Sequence, residues 1–201
     1  MKLYHSPTTP FGRKVVVVLH ETGLMDRVQV ETVSGTPLDA GTMPITKNPL
    51  GKIPALERDE GGVIYDSRVI CRYLDHLSGV GLYPEAPALW DILTLEATAD
   101  GIIEAALSMV YESRIRPEDK QFAPWVEGQW AKVSRALDAV ERDWMDLLNG
   151  PLSGAHIAIG CALGYLDFRL GSRNWREGRP KLAAWDATFA TRPSMQASRP
   201  V

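Results

Sequence analysis

The stretch from Asn48 to Ser67, NPLGKIPALERDEGGVIYDS, constrains this chain more tightly than any other. Asn48-Pro49-Leu50-Gly51 carries turn chemistry. Ile53-Pro54-Ala55-Leu56 reads as a strand that opens on proline, and Asp66-Ser67 stands where a strand hands over to a helix. Proline has no N–H to give to a ladder. A cis Ile53–Pro54 bond would turn the Ile53 N–H and C=O outward, to pair with the main chain of an extended peptide. The plainer alternative is a proline in an edge strand or tight turn with no ligand. Ser67 reads as the N-cap of the next helix, whose unpaired N–H groups and dipole favour an anion. Asp66 beside it can accept from an ammonium group. The pair therefore suits the α-amino acid head of a small peptide-like ligand, although capping alone also accounts for it. Lys52 is a candidate for a second carboxylate at the ligand's far end, or else a solvated surface charge.

At 201 residues the chain can form one large domain or two small ones, and 45% hydrophobic content supports a sizeable core. A net charge of −3 and a pI near 5.8 argue against a nucleic-acid surface. No apolar run approaches the roughly 18 residues that span a bilayer. The strand-like start, Met1 to His5, has no long apolar segment behind it, so no signal peptide is expected. The two cysteines, Cys71 and Cys161, lie far apart in helix-patterned apolar segments and lack metal-ligand spacing. They read as buried free thiols of a reducing, cytoplasmic compartment. His5, His20, His76 and His156 share no spacing suited to a metal or a catalytic triad, and there is no glycine-rich phosphate loop. No metal is expected.

The first part of the chain alternates strand and helix signals. Lys2 to His5 is a short strand, Pro10 to Thr22 a helix and Arg27 to Val33 a second strand. The run Val15 to Val18 has strand propensity. Helix is nevertheless expected, because Thr9-Pro10 is a cap followed by proline, and Phe11, Val15, Val18 and Leu19 share one face. Residues 34–52 are loop-like, with room for at most one short helix. Ile53 to Glu57 and Gly62 to Tyr65 form a hairpin through Asp59-Glu60-Gly61. Ser67 to Ser78 is a helix with Ile70, Tyr73, Leu74 and Leu77 on its inner face. A parallel βαβ unit plus a hairpin in one mixed sheet is the economical arrangement. Beyond Gly79 to Pro87 only helices follow. They are expected from Ala88 to Ser113, from about Pro117 to Leu148, from Ser153 to Leu170 and from Pro180 to Ala190. The expected domains are therefore 1–79, α/β, and 86–201, all-helical.

Hydroxyls gather after the first strand, at Ser6, Thr8 and Thr9. Thr9 directly precedes a helix N-terminus, so a ligand thiol placed there would meet an O–H donor and a positive dipole end. Thr9 as a cap only is the simpler alternative, and the two roles can coexist because a hydroxyl both donates and accepts. Tyr4 is a weaker donor candidate because it lies within the strand.

In these pieces the chain resembles the glutathione transferases over essentially its whole length. The matching segments are Ser6 to Val15, Asn48 to Leu56, Asp66-Ser67 with Ile70 to Leu74 behind it, and the helix from Ser153 to Asp167. The resemblance implies a thioredoxin-like N-terminal domain, a helical C-terminal domain with the acceptor pocket between them, and a homodimer. It implies glutathione as co-substrate, with Pro54 as the family's cis-proline, Ile53 supplying backbone pairing, and Asp66 and Ser67 holding the γ-glutamyl head. Phe11 and Lys52 complete the glutathione-binding set. The reactive position of serine-type and cysteine-type members, directly before Pro-Phe, is Thr9 here. Threonine keeps the hydroxyl but removes cysteine-type thiol exchange. If its methyl misplaces the donor, Ser6 or Thr8 is the substitute. Asp100 matches an acidic residue that in some members reaches the partner subunit's glutathione.

In the family's folding motif a Ser or Thr N-cap is followed three residues later by Asp. Here Ser153 is followed by His156, so a weaker reciprocal cap is expected, together with a stabilising effect of His156→Asp. The implied activity is addition of the glutathione thiolate to a small electrophile, with Met109, Tyr111 and Trp125 as acceptor-pocket walls. Glutathione-dependent isomerisation or dehalogenation is an alternative, as is a non-catalytic binding or regulatory module. No nucleic-acid or membrane partner is expected.

Overall fold

The computed structural model describes residues 1–200. The chain divides into two compact units, Met1–Glu85 together with the segment from Pro193, and Ala86–Arg192. In the first unit the elements are β1 (Lys2–His5), α1 (Pro10–Glu21), β2 (Gln29–Thr32), β3 (Ala55–Glu57), β4 (Val63–Ile64) and α2 (Ser67–Ser78). The sheet order is β2-β1-β3-β4, with β1 and β2 parallel and the other pairs antiparallel. This is the expected βαβ unit plus hairpin. The valine run of α1 adopts helix because Val15, Val17, Val18 and Leu19 are fully buried, and burial outweighs a weak local propensity. Leu3, Leu56, Ile70 and Leu74 complete that core.

Some boundaries differ from expectation. The segment expected as a strand from Arg27 begins in a 3-10 turn, Met25–Arg27. The hairpin ladder is shorter than its hydrophobic run, so Ile53, Pro54 and Tyr65 lie just outside it. Residues 34–52 hold turns only. Asp66, not Ser67, caps α2, its carboxylate accepting the Arg68 N–H, which makes Ser67 the first helical residue. At the other end of α2 the Asp75 carboxylate takes the N–H groups of Gly81, Leu82 and Tyr83 at 2.9, 2.7 and 3.0 Å. A short helix, named α8 below (Pro193–Ala197), has no counterpart in the sequence reading, which placed this segment with the helical domain. It packs on α1 instead. Buried Arg13 donates to the Met195 carbonyl at 3.0 Å and to Ser198 Oγ at 3.4 Å, and the Ser194 hydroxyl donates to the Glu21 carboxylate.

The second unit contains α3 (Ala88–Arg114), α4 (Ala123–Asp143), α5 (Met145–Leu148), α6 (Gly154–Leu170) and α7 (Pro180–Phe189). The long helix expected from Pro117 to Leu148 is broken at both ends. It starts late because Glu112 takes the Phe122 N–H at 2.9 Å, and it is interrupted where Trp144 leaves helical geometry. Apolar α6 is buried along Gly154 to Leu163 and packs on α3 and α7. Buried Arg179 ties α4 to the start of α7, donating to Asp138 at 2.9 Å, Ser134 Oγ at 2.7 Å and the Trp175 carbonyl at 2.7 Å. Glu141 accepts the Lys181 and Leu182 N–H groups at the α7 N-terminus, where negative charge is favoured. Among the described residues no helix is long and apolar enough to cross a membrane. Both cysteines are buried and not disulfide-bonded.

At the α6 N-terminus an imidazole does the work of the family's carboxylate. The Ser153 N–H donates to His156 Nδ1 at 3.2 Å, and the Ser153 hydroxyl lies 2.8 Å from the same nitrogen. An accepting Nδ1 puts the proton on Nε2, which is buried with no partner in hydrogen-bonding geometry. The ring is 3% exposed, 6.2 Å from Trp185 and 6.4 Å from Phe189. An aspartate would keep the cap but vacate ring volume in this aromatic cluster. His156→Asp is therefore expected to lower Tm, by about 1–2 kcal/mol of stability, which reverses the expectation from the capping motif alone. A raised Tm would show that the carboxylate cap outweighs the packing.

His5, on β1, is 8% exposed, and burial lowers its pKa to about 4. Burial also lowers that of His156, against the opposing pull of the Leu148 carbonyl. Both imidazoles stay neutral in the folded protein and titrate near 6.5 when unfolded. The unfolded chain then binds more protons below that value, so the stability held by the His5 shift is present above pH of about 6.5 and falls as pH drops toward 4, by up to about 1.4 kcal/mol per pH unit, and His156 contributes in the same direction. Chemical denaturation across this window should show the loss, and His5→Asn should flatten it. An unchanged slope in the variant would contradict a buried neutral His5.

Candidate functional site

The register of the first unit gathers three chain segments at one end of the sheet. β1 runs antiparallel to β3 with Tyr4 opposite Ala55, so the exit from β1 lies beside the entry to β3. β3 runs antiparallel to β4 with Leu56 opposite Ile64, so the exit from β4 reaches that same end. Those segments are Ser6 to Thr9, Ile53-Pro54 and Asp66-Ser67. The sequence reading singled out all of them, and the register brings them together.

Ser6 to Thr9 is a tight turn, with the Thr9 N–H donating to the Ser6 carbonyl at 3.0 Å. Thr9 is the backbone N-cap of α1, and Pro10 takes the first helical position. The Thr9 side chain makes no capping hydrogen bond. Its hydroxyl is thus uncommitted at the positive end of a twelve-residue helix. The threonine methyl has a berth made by Gly12: a Cβ at that position would come within 2.6 Å of Thr9 Cγ2 and overlap the His5 ring. Ser6 and Thr8 face each other, their hydroxyl oxygens 3.3 Å apart. Phe11 occupies the first turn of α1 and is partly exposed. The Tyr4 hydroxyl is already engaged, donating to Glu57 at 3.0 Å.

The Ile53–Pro54 bond is cis, as the sequence suggested, and the peptide between Tyr65 and Asp66 is cis as well. The ladder starts at Ala55, so Ile53 is left outside its pairs. Asn48, almost fully buried, fixes the approach: its Nδ2 donates to the Lys52 carbonyl at 2.8 Å and its Oδ1 accepts the Leu50 N–H at 3.0 Å. The Lys52 side chain is exposed.

At the start of α2, burial pushes the Asp66 carboxyl up, but the Arg68 guanidinium and N–H, with a contribution from Lys14, hold it below its ordinary value. One Asp66 oxygen takes the Arg68 N–H at 3.0 Å and the other the Arg68 guanidinium at 3.1 Å. A carboxylate offers about four acceptor sites, so room remains for an ammonium. The Ser67 N–H belongs to the unpaired first turn of α2. Sequence reasoning missed Asn48 as the loop's anchor and Arg68 and Lys14 as the charges around Asp66. The Asx-Pro turn at Asn48-Pro49 was the available signal for the first; Lys14 gave none, since its nearness to Asp66 is tertiary.

Asp100 lies on α3 in the other unit and is 3% exposed. Met109 is buried, while Tyr111 and Trp125 are 37% and 40% exposed. Among the described residues no group of three or more His, Cys, Asp or Glu side chains is placed to hold a metal.

Comparison with known proteins agrees with this geometry. The glutathione S-transferase N-terminal domain family matches residues 8–77, and the glutathione S-transferase C-terminal domain family matches residues 123–185. The chain is 34% identical to the uncharacterized GST-like protein YibF of Escherichia coli K12, covering 100% of this chain and 98% of that one. It is 26% identical to human elongation factor 1-gamma over 155 residues, which is 76% of this chain but 35% of that protein. A crystal structure of a glutathione transferase family member from Pseudomonas fluorescens Pf-5, with bound glutathione, superposes with a TM-score of 0.97 at 44% identity, over 100% of this chain and 98% of that chain. A second crystal structure from the same organism, with bound S-(propanoic acid)-glutathione, gives 0.92 at 44% identity over the full length of both. With a thioredoxin-like first unit and an all-helical second, this chain belongs to the glutathione transferase family.

Proposed function

We propose that the protein is a glutathione transferase that binds glutathione at the sheet end of the first unit and adds its thiolate to a small electrophile. The observation that carries this reading is the Thr9 hydroxyl, uncommitted at the α1 N-terminus, on the same end of the sheet as Ile53-Pro54 and Asp66-Ser67. The full-length similarity to a family member with bound glutathione supports it. In this reading Ile53 pairs with the ligand main chain, Asp66 takes the γ-glutamyl ammonium, and Ser67 with the α2 N-terminus takes the neighbouring carboxylate. Lys52 faces the glycine carboxylate, and Phe11 flanks the cysteinyl part. A homodimer in a cytoplasmic setting, with Asp100 supporting the neighbouring subunit's site, completes the reading.

A free thiol has a pKa of about 8.5, and lowering it by about two units takes roughly 2.7 kcal/mol. A charge-assisted hydrogen bond from Thr9 supplies roughly 1.5–3 kcal/mol. The α1 N-terminus adds roughly 0.3–1 kcal/mol. Together they suffice without a general base: the thiol proton leaves to solvent, the sulfur lone pair forms the new bond to the electrophilic carbon, and the electron pair of the bond broken there departs with the leaving group or, in an addition, is protonated from solvent.

A second reading, a transferase-like binding module, is favoured by the match to elongation factor 1-gamma. Glutathione-dependent isomerisation or dehalogenation is the other enzymatic reading, separated by an electrophile panel. Titration with glutathione divides enzyme from module, since no saturable binding at millimolar ligand would exclude both enzymatic readings. The thiolate absorbance of bound glutathione then tests Thr9. Thr9→Ala is expected to raise the thiol pKa by about one to two units, while Thr9→Ser keeps it low. An unchanged pKa in Thr9→Ala would remove Thr9 from the chemistry and leave Ser6 or Thr8 as the donor.

A further inference from the structure

The first unit holds a cavity that the glutathione reading does not use. It measures about 270 Å³ and is bounded by β1, β2, α1 and the segment around α8. His5 and Thr32, opposite each other in the β1–β2 register, line it together with Val30, two residues back on the same face. Arg13 and Val16 face it from adjacent turns of α1, and Ser198 from just beyond α8. In the sheet order β2-β1-β3-β4 the cavity lies on the β2 flank of β1, whereas Ile53-Pro54 and Asp66-Ser67 belong to the β3–β4 flank.

Its charge is one-sided. Arg13 and Arg199 line the cavity and no acidic residue does. The protein buries two arginines among the described residues, Arg13 at 7% exposure and Arg179 at 6%. Arg179 is paired with Asp138 at 2.7 Å, but Arg13 has no carboxylate partner among the described residues. A guanidinium carries five N–H donors. Arg13 commits Nη2 to the Met195 carbonyl and Nε, at a long 3.4 Å, to Ser198 Oγ, which leaves Nη1 without a protein partner among the described residues. A buried charge left unpaired is costly, so the site is built to favour an anion. The His5 ring turns its Nδ1 edge toward Gly12 and stays neutral, so it does not oppose one.

The other walls decide the kind of anion. Val16, Val30 and Met25 are apolar, and an inorganic oxyanion would leave them facing water. The volume is just below the roughly 300–1,000 Å³ of sites for drug-sized ligands, so the occupant is small. A planar carboxylate matches the guanidinium fork. Thr32 and Arg199, both exposed, stand where a ligand enters.

We propose that this cavity binds a short aliphatic monocarboxylate, with the carboxylate on Arg13 and Arg199 and the chain against Val16, Val30 and Met25. The site is separate from that of glutathione and does not rest on the transferase reading.

Amide NMR titration of the full-length protein with butyrate, n-butylamine and inorganic phosphate at matched ionic strength tests it. Butyrate should shift the N–H signals of Thr32, Ser198 and Arg199 together and saturably, with n-butylamine silent and phosphate about tenfold or more weaker. Arg13→Gln should weaken butyrate about tenfold or more, the scale of a charge-assisted hydrogen bond. Arg199→Gln, on the exposed rim, should weaken it about two- to fivefold. Because Arg13 also holds α8, a second variant leaves it in place. Ala197→Glu, at an exposed position lining the cavity, supplies a tethered carboxylate and should abolish butyrate binding while keeping or raising Tm. If Arg13→Gln does not fold, Ala197→Glu decides. No saturable butyrate binding in the native protein, phosphate binding as tightly as butyrate, or butyrate affinity unchanged in Ala197→Glu overturns the proposal. Displacement of butyrate by glutathione would place it in the glutathione site and overturn the proposal as well.

Discussion

The pairing of β1 with β3 is the contact on which the candidate site depends. Tyr4 opposite Ala55 and Leu56 opposite Ile64 place the exits of β1 and β4 and the entry of β3 at one end of the sheet. A one-residue slip in either pair would turn Leu3 or Leu56 from core to solvent, so burial of these leucines enforces the register. Segments distant in sequence, around residues 6–9, 53–54 and 66–67, become neighbours as a consequence. Each offers what a ladder or helix leaves unsatisfied: an uncommitted hydroxyl, a residue outside the pairing, and the first N–H groups of a helix.

Electrostatics at that end follow from the same layout. Thr9 and Ser67 begin two helices, and the positive ends of α1 and α2 favour negative groups. Asp66 supplies the one carboxylate among the site residues of the first unit, held ionised by Arg68 and Lys14 against the effect of burial. His5 sits beneath the Thr9 loop as a neutral ring, so it adds no positive charge there at neutral pH. Gly12 lets α1 approach closely enough for the Thr9 methyl and the His5 ring to pack at the helix start. The hydroxyl is thereby held by packing and not by a cap.

Much of this was legible in the residues. Thr9-Pro10 marked the start of α1, Ile53-Pro54 the cis bond and Asp66-Ser67 a helix start. What stayed hidden depended on contacts distant in sequence. The valine run fixes a helix only because its side chains are buried in the tertiary fold. Arg13 meets Met195 182 positions later, so α8 and its place on α1 could not be read from five residues alone. Asp66 displaced Ser67 as the cap because its oxygen reaches the Arg68 N–H, a one-residue choice that spacing does not decide. His156 shows a motif's role passing to another side chain. An imidazole nitrogen accepts the Ser153 N–H where the family uses a carboxylate, and Trp185 and Phe189 surround the ring.

The central claim is that one glutathione molecule engages all three segments at the end of the sheet. Backbone amide NMR during a glutathione titration tests it directly. The N–H signals of Phe11, Ile53 and Ser67 should shift together and saturate with a single dissociation constant. Shifts confined to one segment, or saturating with different constants, would contradict a shared site.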